Sequence, residues 1–199
     1  MIGAIVLAAG RSRRMGGQKL LLPFGGQTVI GHVVDQVLQA AIHEVCVVVG
    51  PQPERLTEAL SGRKVGIVRN PDPEGDMLSS IRCGWRALPQ ECQAILITLG
   101  DQPGITSELI DQMIRAFAGE SRGLVVPVHQ GQRGHPILCS AKYRDEILTR
   151  YDAVGLQGLV RAHPGEVLEC PVSTPAVLSD IDYPEDYRRE LRAFSRGQF

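Results

Sequence analysis

Cysteine is sparse and scattered. Cys46, Cys83, Cys92, Cys139 and Cys170 are odd in number and include no C-x-x-C pair, which argues against a disulfide framework and a structural zinc knuckle and suits small buried apolar residues. Net charge is nearly absent, at -1, so a phosphate-rich partner has to be met by a local cluster of donors, and extended nucleic-acid binding is not expected. No apolar run approaches the roughly 18 residues of a membrane span, and no charged leader precedes Ile2. These absences predict a cytoplasmic protein without membrane partners. Internal repeats and low-complexity linkers are also lacking.

What remains is ordinary globular material. Apolar residues make up 43% and charged residues 22% of 199 residues, a composition and length that predict one domain over 1–199, with a first part to about 120 and a second part with a closing helix from about 121. Ile2 to Ala9 is an almost unbroken apolar run, as expected of a strand covered on both faces in a parallel sheet. Thr28 to Ala41 carries Val29, Val33, Val34, Val37, Leu38 and Ala41 near helical spacing, and Val45 to Val49 is the next apolar burst.

The rhythm continues with a helix over 53–60, a strand over 64–68, a helix over 78–87, a strand over 95–99 and a helix from 106 or 107 to 117. Such alternation predicts an α/β fold, doubly wound and Rossmann-like, whose mostly parallel sheet binds ligands at the carboxyl ends of its strands. Beyond Gly123 the pattern loosens. Strands over 124–128, 136–139 and 167–170, helices over 141–149 and 155–161, and a last helix from about Pro184 to Phe194 point to a small mixed extension.

Two polar loops, 10–19 and 100–104, follow apolar strands and would share that sheet edge. The first reads Gly10-Arg11-Ser12-Arg13-Arg14-Met15-Gly16-Gly17-Gln18-Lys19. A glycine after a strand permits a sharp turn, successive amides can form an anion nest with the Ser12 hydroxyl, and Arg14 and Lys19 can neutralise phosphate oxygens. The loop matches neither the Walker pattern nor the G-x-G-x-x-G of dinucleotide folds, and no serine sits in G-x-S-x-G.

In the second loop, Gly100-Asp101-Gln102-Pro103 puts a carboxylate at the sheet edge, where it could hold a hard cation such as Mg²⁺ beside phosphate oxygens. Asp180-Ile181-Asp182-Tyr183-Pro184-Glu185-Asp186 is a further acidic segment. In it, Asp182 could instead cap the last helix, with Glu185 as capping-box partner. Leu7, Ala8 and Ala9 leave room for a flat ring, Gly75 allows a tight approach, and Ser79 and Ser80 stand near a helix start, able either to meet an anion or to cap. Arg82, one turn on, could point toward the same place.

Taken together, the opening loop, G-D-Q-P, Arg133-Gly134-His135-Pro136 and D-I-D-Y-P-E-D resemble the molybdenum-cofactor nucleotidyltransferases and their sugar-nucleotide relatives over almost the whole chain, most closely the cytidylyltransferase branch. The resemblance implies that the loop, with Gly10, Arg11, Ser12 and Gly16, wraps a triphosphate, with Arg14 and Lys19 on its phosphates. It also implies that Asp182, with Asp180 competing for the role, reaches the Mg²⁺ held by Asp101, that the base pocket extends over 71–80, and that His135 lies on the acceptor side. Alanine in Leu7-Ala8-Ala9-Gly10, where guanylyl-transferring relatives often carry a second glycine, favours CTP. The implied reaction transfers CMP to a molybdopterin-type acceptor, with transient contact to a molybdoenzyme or its chaperone. A sugar phosphate acceptor and a nonenzymatic cofactor chaperone are the alternatives. Tyr183 departs from the family, which commonly has threonine there.

Overall fold

A computed structural model of the chain describes residues 1–10, 15, 18–72, 74–152 and 154–197. Its spine is the strand β1, Ile2–Ala8, flanked in parallel by β4, Glu44–Val49, and β6, Ala94–Leu99. Ala4, Ile5 and Val6 are fully buried, since helices cover both faces. Ala4 and Val6 face one core with the helices α1, Val29–Gln39, and α4, Ser107–Ala118, while Ile5 faces the other with α3, Met77–Ala87. This period-two partition makes a parallel strand a continuous apolar run, and burying a side chain the size of Ile5 contributes about 1.5–3 kcal/mol.

Two short hairpin strands, β2 at Pro23–Phe24 and β3 at Gln27–Thr28, precede α1, while α2, Glu54–Ala59, leads to the edge strand β5, Gly66–Arg69. Beyond α4 the chain forms β7, Leu124–His129, then turns through Gln130 (φ 48°) and Gly131 (φ 79°) into β8, Gln132–Arg133. Positive φ at both turn residues is what a two-residue hairpin requires. The chain returns as β9, Ile137–Ser140, which inserts antiparallel between β6 and β7. The helices α5, Arg144–Thr149, and α6, Leu156–Ala162, lead to β10, Val167–Pro171, parallel to β7. The sheet order is β10-β7-β9-β6-β1-β4-β5, with β8 beside β7. This is the mostly parallel, doubly wound sheet with a mixed extension that the sequence predicts.

The last helix, α7, Pro184–Ser195, crosses back over the β2–β3 hairpin. Phe24 stacks at 4.9 Å from Phe194 and 5.0 Å from His32, with Val29 and Ile181 buried beneath. A Cβ on Gly25, which has φ 56°, would stand 2.6 Å from the Phe194 ring, and the Tyr187 hydroxyl donates to the Pro23 carbonyl at 2.6 Å. This satellite core draws the start of α7 to the carboxyl edge of β1 and β6. Among the described residues, no helix is long and apolar enough to cross a membrane.

Candidate active site

Register places the site. Leu7 pairs with Val48 on one side and Leu99 on the other, so the chain leaves β1 at Ala9-Gly10 beside the exit of β6 at Gly100-Asp101. The Gly100 amide donates to the Leu7 carbonyl at 2.9 Å, and a Cβ there would lie 2.9 Å from that oxygen. A glycine at 100 therefore lets the two strand ends close up and aims Asp101 across the edge.

Lys19 opens a short 3-10 turn, Lys19–Leu21, and its Nζ lies 2.6 Å from Asp101 Oδ2 and 3.0 Å from Asp182 Oδ1. The Ile181 amide donates to the Asp101 carbonyl at 3.1 Å and ties the approach to α7 onto the G-D-Q-P loop. Carboxylate oxygens of Asp101, Asp180 and Asp182 can all lie within 4.8 Å of one another. The structure thus brings Asp180 and Asp182 to Asp101 together.

The cap of α7 explains why Asp182 is available for this. The helix is capped one residue later than the sequence suggests: Asp186 accepts from the Tyr183 amide at 2.8 Å and the Asp182 amide at 3.1 Å. Asp182 with Glu185 is therefore not the capping pair, and the Asp182 carboxylate turns to Lys19. Tyr183 contributes its backbone to the cap and leaves its side chain half exposed, so the larger residue fits where threonine is common.

Burial pushes the Asp101 carboxyl above its ordinary range, Lys19 opposes that rise, and Asp180 adds to it. Burial works to lower Lys19 as well, but attraction to Asp101 and hydrogen bonds to Asp101 and Asp182 outweigh it and hold the ammonium above its ordinary value. Lys19 is 11% exposed and Asp101 16%, against 35% for Asp182. A partly sheltered cluster of hard oxygen donors fits a hard divalent cation such as Mg²⁺, which would compete there with the Lys19 ammonium.

Beside the cluster lies a cavity of about 240 Å³, bounded by Leu7, Ala9, Gly10, Gly75, Ser80 and Asp101 among others. Ala8 faces the core on the opposite side of the strand and does not line it. Behind Gly75 and Ser80 of that lining lies Asn70, which sequence reasoning missed. Buried to 2% exposure, Asn70 donates from Nδ2 to the Ser79 hydroxyl at 2.8 Å and the Ser80 hydroxyl at 3.0 Å, and its Oδ1 accepts from the Asp72 amide at 3.1 Å.

A Cβ on Gly75 would sit 2.4 Å from the Ser79 oxygen, so the loop closes onto Asn70 only with glycine there. Neither serine caps α3. Asp76 does, accepting from the Ser79 amide at 2.8 Å, because the helix begins at Met77, one residue earlier than its apolar spacing suggests. Arg82 is not brought to this cavity. Its guanidinium reaches the opposite way, to the carbonyls of Ile147 and Arg150. Arg11, Ser12, Arg14 and Gly16 lie outside the described residues.

A larger cavity of about 640 Å³ adjoins the first and shares Asp76 and Met77 with it. Val126, Ile137, Leu156 and Val160 give it apolar walls, and His135, Arg133 and Arg161 give it polar ones. The His135 amide donates to the Val177 carbonyl at 2.9 Å, and a Cβ on Gly134 would come within 2.1 Å of that same oxygen. The Arg-Gly-His stretch therefore seats itself against the backbone before α7. Burial holds the His135 imidazole below its ordinary value against the attraction of Asp180, so it is neutral near pH 7. Its Nδ1 is buried without a hydrogen-bond partner among the described residues.

The molybdenum cofactor cytidylyltransferase of Escherichia coli is 27% identical over 187 residues, covering 94% of this chain and 93% of that protein. The nicotine blue oxidoreductase of Paenarthrobacter nicotinovorans is 27% identical over 198 residues, covering 96% of both. Among solved structures, a nucleotidyl transferase from Methanothermobacter superposes with a TM-score of 0.85 at 30% identity, covering 99% of both chains. A Mycobacterium tuberculosis protein in complex with manganese superposes with a TM-score of 0.80 at 26% identity, covering 96% of this chain and 98% of that one. The MobA-like NTP transferase domain model matches residues 4–167, and the chain therefore belongs to the MobA-like NTP transferase family, a family of nucleotidyltransferases.

Proposed function

We propose that the chain transfers CMP from CTP to molybdopterin, or to its molybdenum-loaded form, and releases pyrophosphate. The observation that carries the reading is the pair of adjoining cavities, sharing Asp76 and Met77, with Lys19 and the carboxylates of Asp101, Asp180 and Asp182 at the edge of the smaller one. The smaller cavity suits the nucleotide, with the edge of β1 beside the base. The larger, apolar with arginine and histidine at its rim, suits a flat heterocycle bearing a phosphate. The similarity to the E. coli cytidylyltransferase over nearly the full length of both chains favours this acceptor over a sugar phosphate.

An oxygen of the acceptor phosphate attacks the α-phosphorus, and the bond to the bridging oxygen breaks as pyrophosphate leaves with the electron pair. The attacking phosphate is already ionised near neutral pH, so no protein base is needed. Catalysis then comes from positioning and charge neutralisation. Lys19, with Arg14 from the loop, offsets charge on the leaving phosphates, and neutral His135 offers a donor on the acceptor side. Asp101 and Asp182, with Asp180 beside them, would hold Mg²⁺, which supplies electrostatic polarisation of the phosphate oxygens when bound. On this reading the protein works in the cytoplasm and delivers its product by transient contact to a molybdoenzyme or its chaperone.

The test is incubation with Mg²⁺, each nucleoside triphosphate in turn, and either molybdopterin or sugar phosphates, with products identified by mass. CTP consumption with the pterin alone is the expected result. Sugar-nucleotide formation without pterin turnover would reject the acceptor.

A further inference from the structure

Arg82 lies on α3, whose first turn borders both cavities through Asp76 and Met77. Its own side chain leaves that region. Nε donates to the Ile147 carbonyl at 2.8 Å, Nη2 donates to the Arg150 carbonyl at 2.6 Å, and Nη1 pairs with the Asp152 carboxylate. The guanidinium, 15% exposed, thus gathers carbonyls that the end of α5 cannot satisfy within the helix, together with the acidic residue that follows.

This segment has a particular destination. It runs directly into Val154, Gly155, Leu156 and Gln157, which with Val160 and Arg161 wall the 640 Å³ cavity. Tyr151, at φ 75°, turns the chain there: its carbonyl accepts from the Gly155 amide at 2.8 Å and its hydroxyl donates to the Glu146 carboxylate. A Cβ on Gly158 would stand 2.3 Å from the Tyr151 ring, so the turn is seated on α6. A second arginine, Arg144, ties the body of α5 to the Trp85 carbonyl of α3 at 3.2 Å. Arg82 reaches past the end of that helix to the turn itself.

We propose that Arg82 is a positioning residue for the acceptor: it fixes the wall formed by 154–161 relative to the first turn of α3, and so sets where the acceptor phosphate sits against the α-phosphorus. The proposal rests on the reading of the larger cavity as the acceptor site. Misplacement of about 1 Å is enough to cost a large factor in rate.

The expected result for Arg82→Gln is a fall in kcat/KM for molybdopterin of about tenfold or more, while the Kd for CTP, measured by calorimetry without acceptor, stays within about twofold. Arg82→Lys, which keeps a cation able to donate to the same carbonyls, should recover much of the loss. Asp152→Ala removes a partner that is 76% exposed and endangers folding least, and should cost about twofold. A merely structural role would lower thermal stability and the active fraction without separating the two substrates.

Arg82→Gln with unchanged acceptor kinetics, or with nucleotide affinity falling in parallel, overturns the proposal. If the unaltered protein binds CTP but does not turn over molybdopterin, the acceptor reading fails, and hydrogen exchange then decides on Arg82. Faster exchange over 147–161 in Arg82→Gln, with β1 and β6 unchanged, then supports the fixing of this wall by Arg82, and unchanged exchange there refutes it.

Discussion

Replacing Lys19 with alanine should change two measurements in opposite directions. The ammonium makes charge-assisted contacts of 2.6 Å to Asp101 and 3.0 Å to Asp182, and a hydrogen bond to a charged group contributes about 1.5–3 kcal/mol. The contact to Asp101 is sheltered, whereas Asp182 is 35% exposed and its share is discounted for solvent screening. A divalent cation entering this cluster must therefore displace or oppose an interaction of about 1.5–3 kcal/mol, which corresponds to roughly tenfold to 150-fold in affinity. Mn²⁺ should accordingly bind nucleotide-free Lys19→Ala more tightly than the unaltered protein by that factor, read by calorimetry or by loss of the free-ion paramagnetic resonance signal. Turnover of the same variant should fall about a hundredfold or more, since charge developing on the leaving phosphates loses its counter-ion. Unchanged or weaker Mn²⁺ binding in a folded variant would refute the placement of the cation among these carboxylates, and unchanged turnover would remove Lys19 from the chemistry.

Other consequences can be checked separately. Asp101→Asn should leave the protein folded, with a loss of stability no greater than about 1.5–3 kcal/mol, the contribution of its contact to Lys19, while product formation, followed by pyrophosphate release, falls about a hundredfold or more. Asn70→Ala deletes hydrogen bonds to Ser79, Ser80 and the Asp72 amide and should lower stability by about 1–3 kcal/mol in urea titrations, with weaker CTP binding as the wall loosens. Gly134→Ala places a methyl 2.1 Å from the Val177 carbonyl, a backbone clash that should cost about 1–3 kcal/mol or more and reduce acceptor use. His135 has its proton affinity lowered by burial from an ordinary 6.5. The unfolded chain thus takes up a proton at a pH where the native protein does not, so this contribution is fully present above about pH 6.5 and is lost as the pH falls through the lower native value. The loss of stability between pH 7.5 and pH 5.5 should be smaller in His135→Gln than in the unaltered protein, as measured by paired urea titrations.

The central sheet and the Asp101 side of the site were readable in the sequence, because parallel strands are uninterrupted apolar runs and a polar residue just after such a run must lie at the sheet edge. The approach of Asp182 to Asp101 was expected only by resemblance, and the ion pairs of Lys19 to both were not expected, since they depend on α7 docking through Phe24, His32 and Phe194, contacts between the two ends of the chain that no local pattern encodes. Arg82 shows the limit of helical phase. Its spacing from Ser79 was compatible with the nucleotide cavity, but a long side chain is directed by whichever carbonyls it satisfies, and those of Ile147 and Arg150 belong to a helix far along the chain. Asn70 stood in plain view at the end of an apolar strand before Pro71-Asp72, yet its role appears only once Ser79 and Ser80 are folded over it.

The most direct test is a crystal of the protein soaked with Mn²⁺ and CTP in the absence of acceptor, with the metal located by its anomalous signal. The account predicts a single strong peak touching Asp101 and Asp182, phosphates of the nucleotide on the same ion, and Lys19 moved from the carboxylates to the triphosphate. A metal bound elsewhere, with Lys19 still bridging Asp101 and Asp182 and the nucleotide outside the cavity beside Leu7 and Gly10, would contradict it.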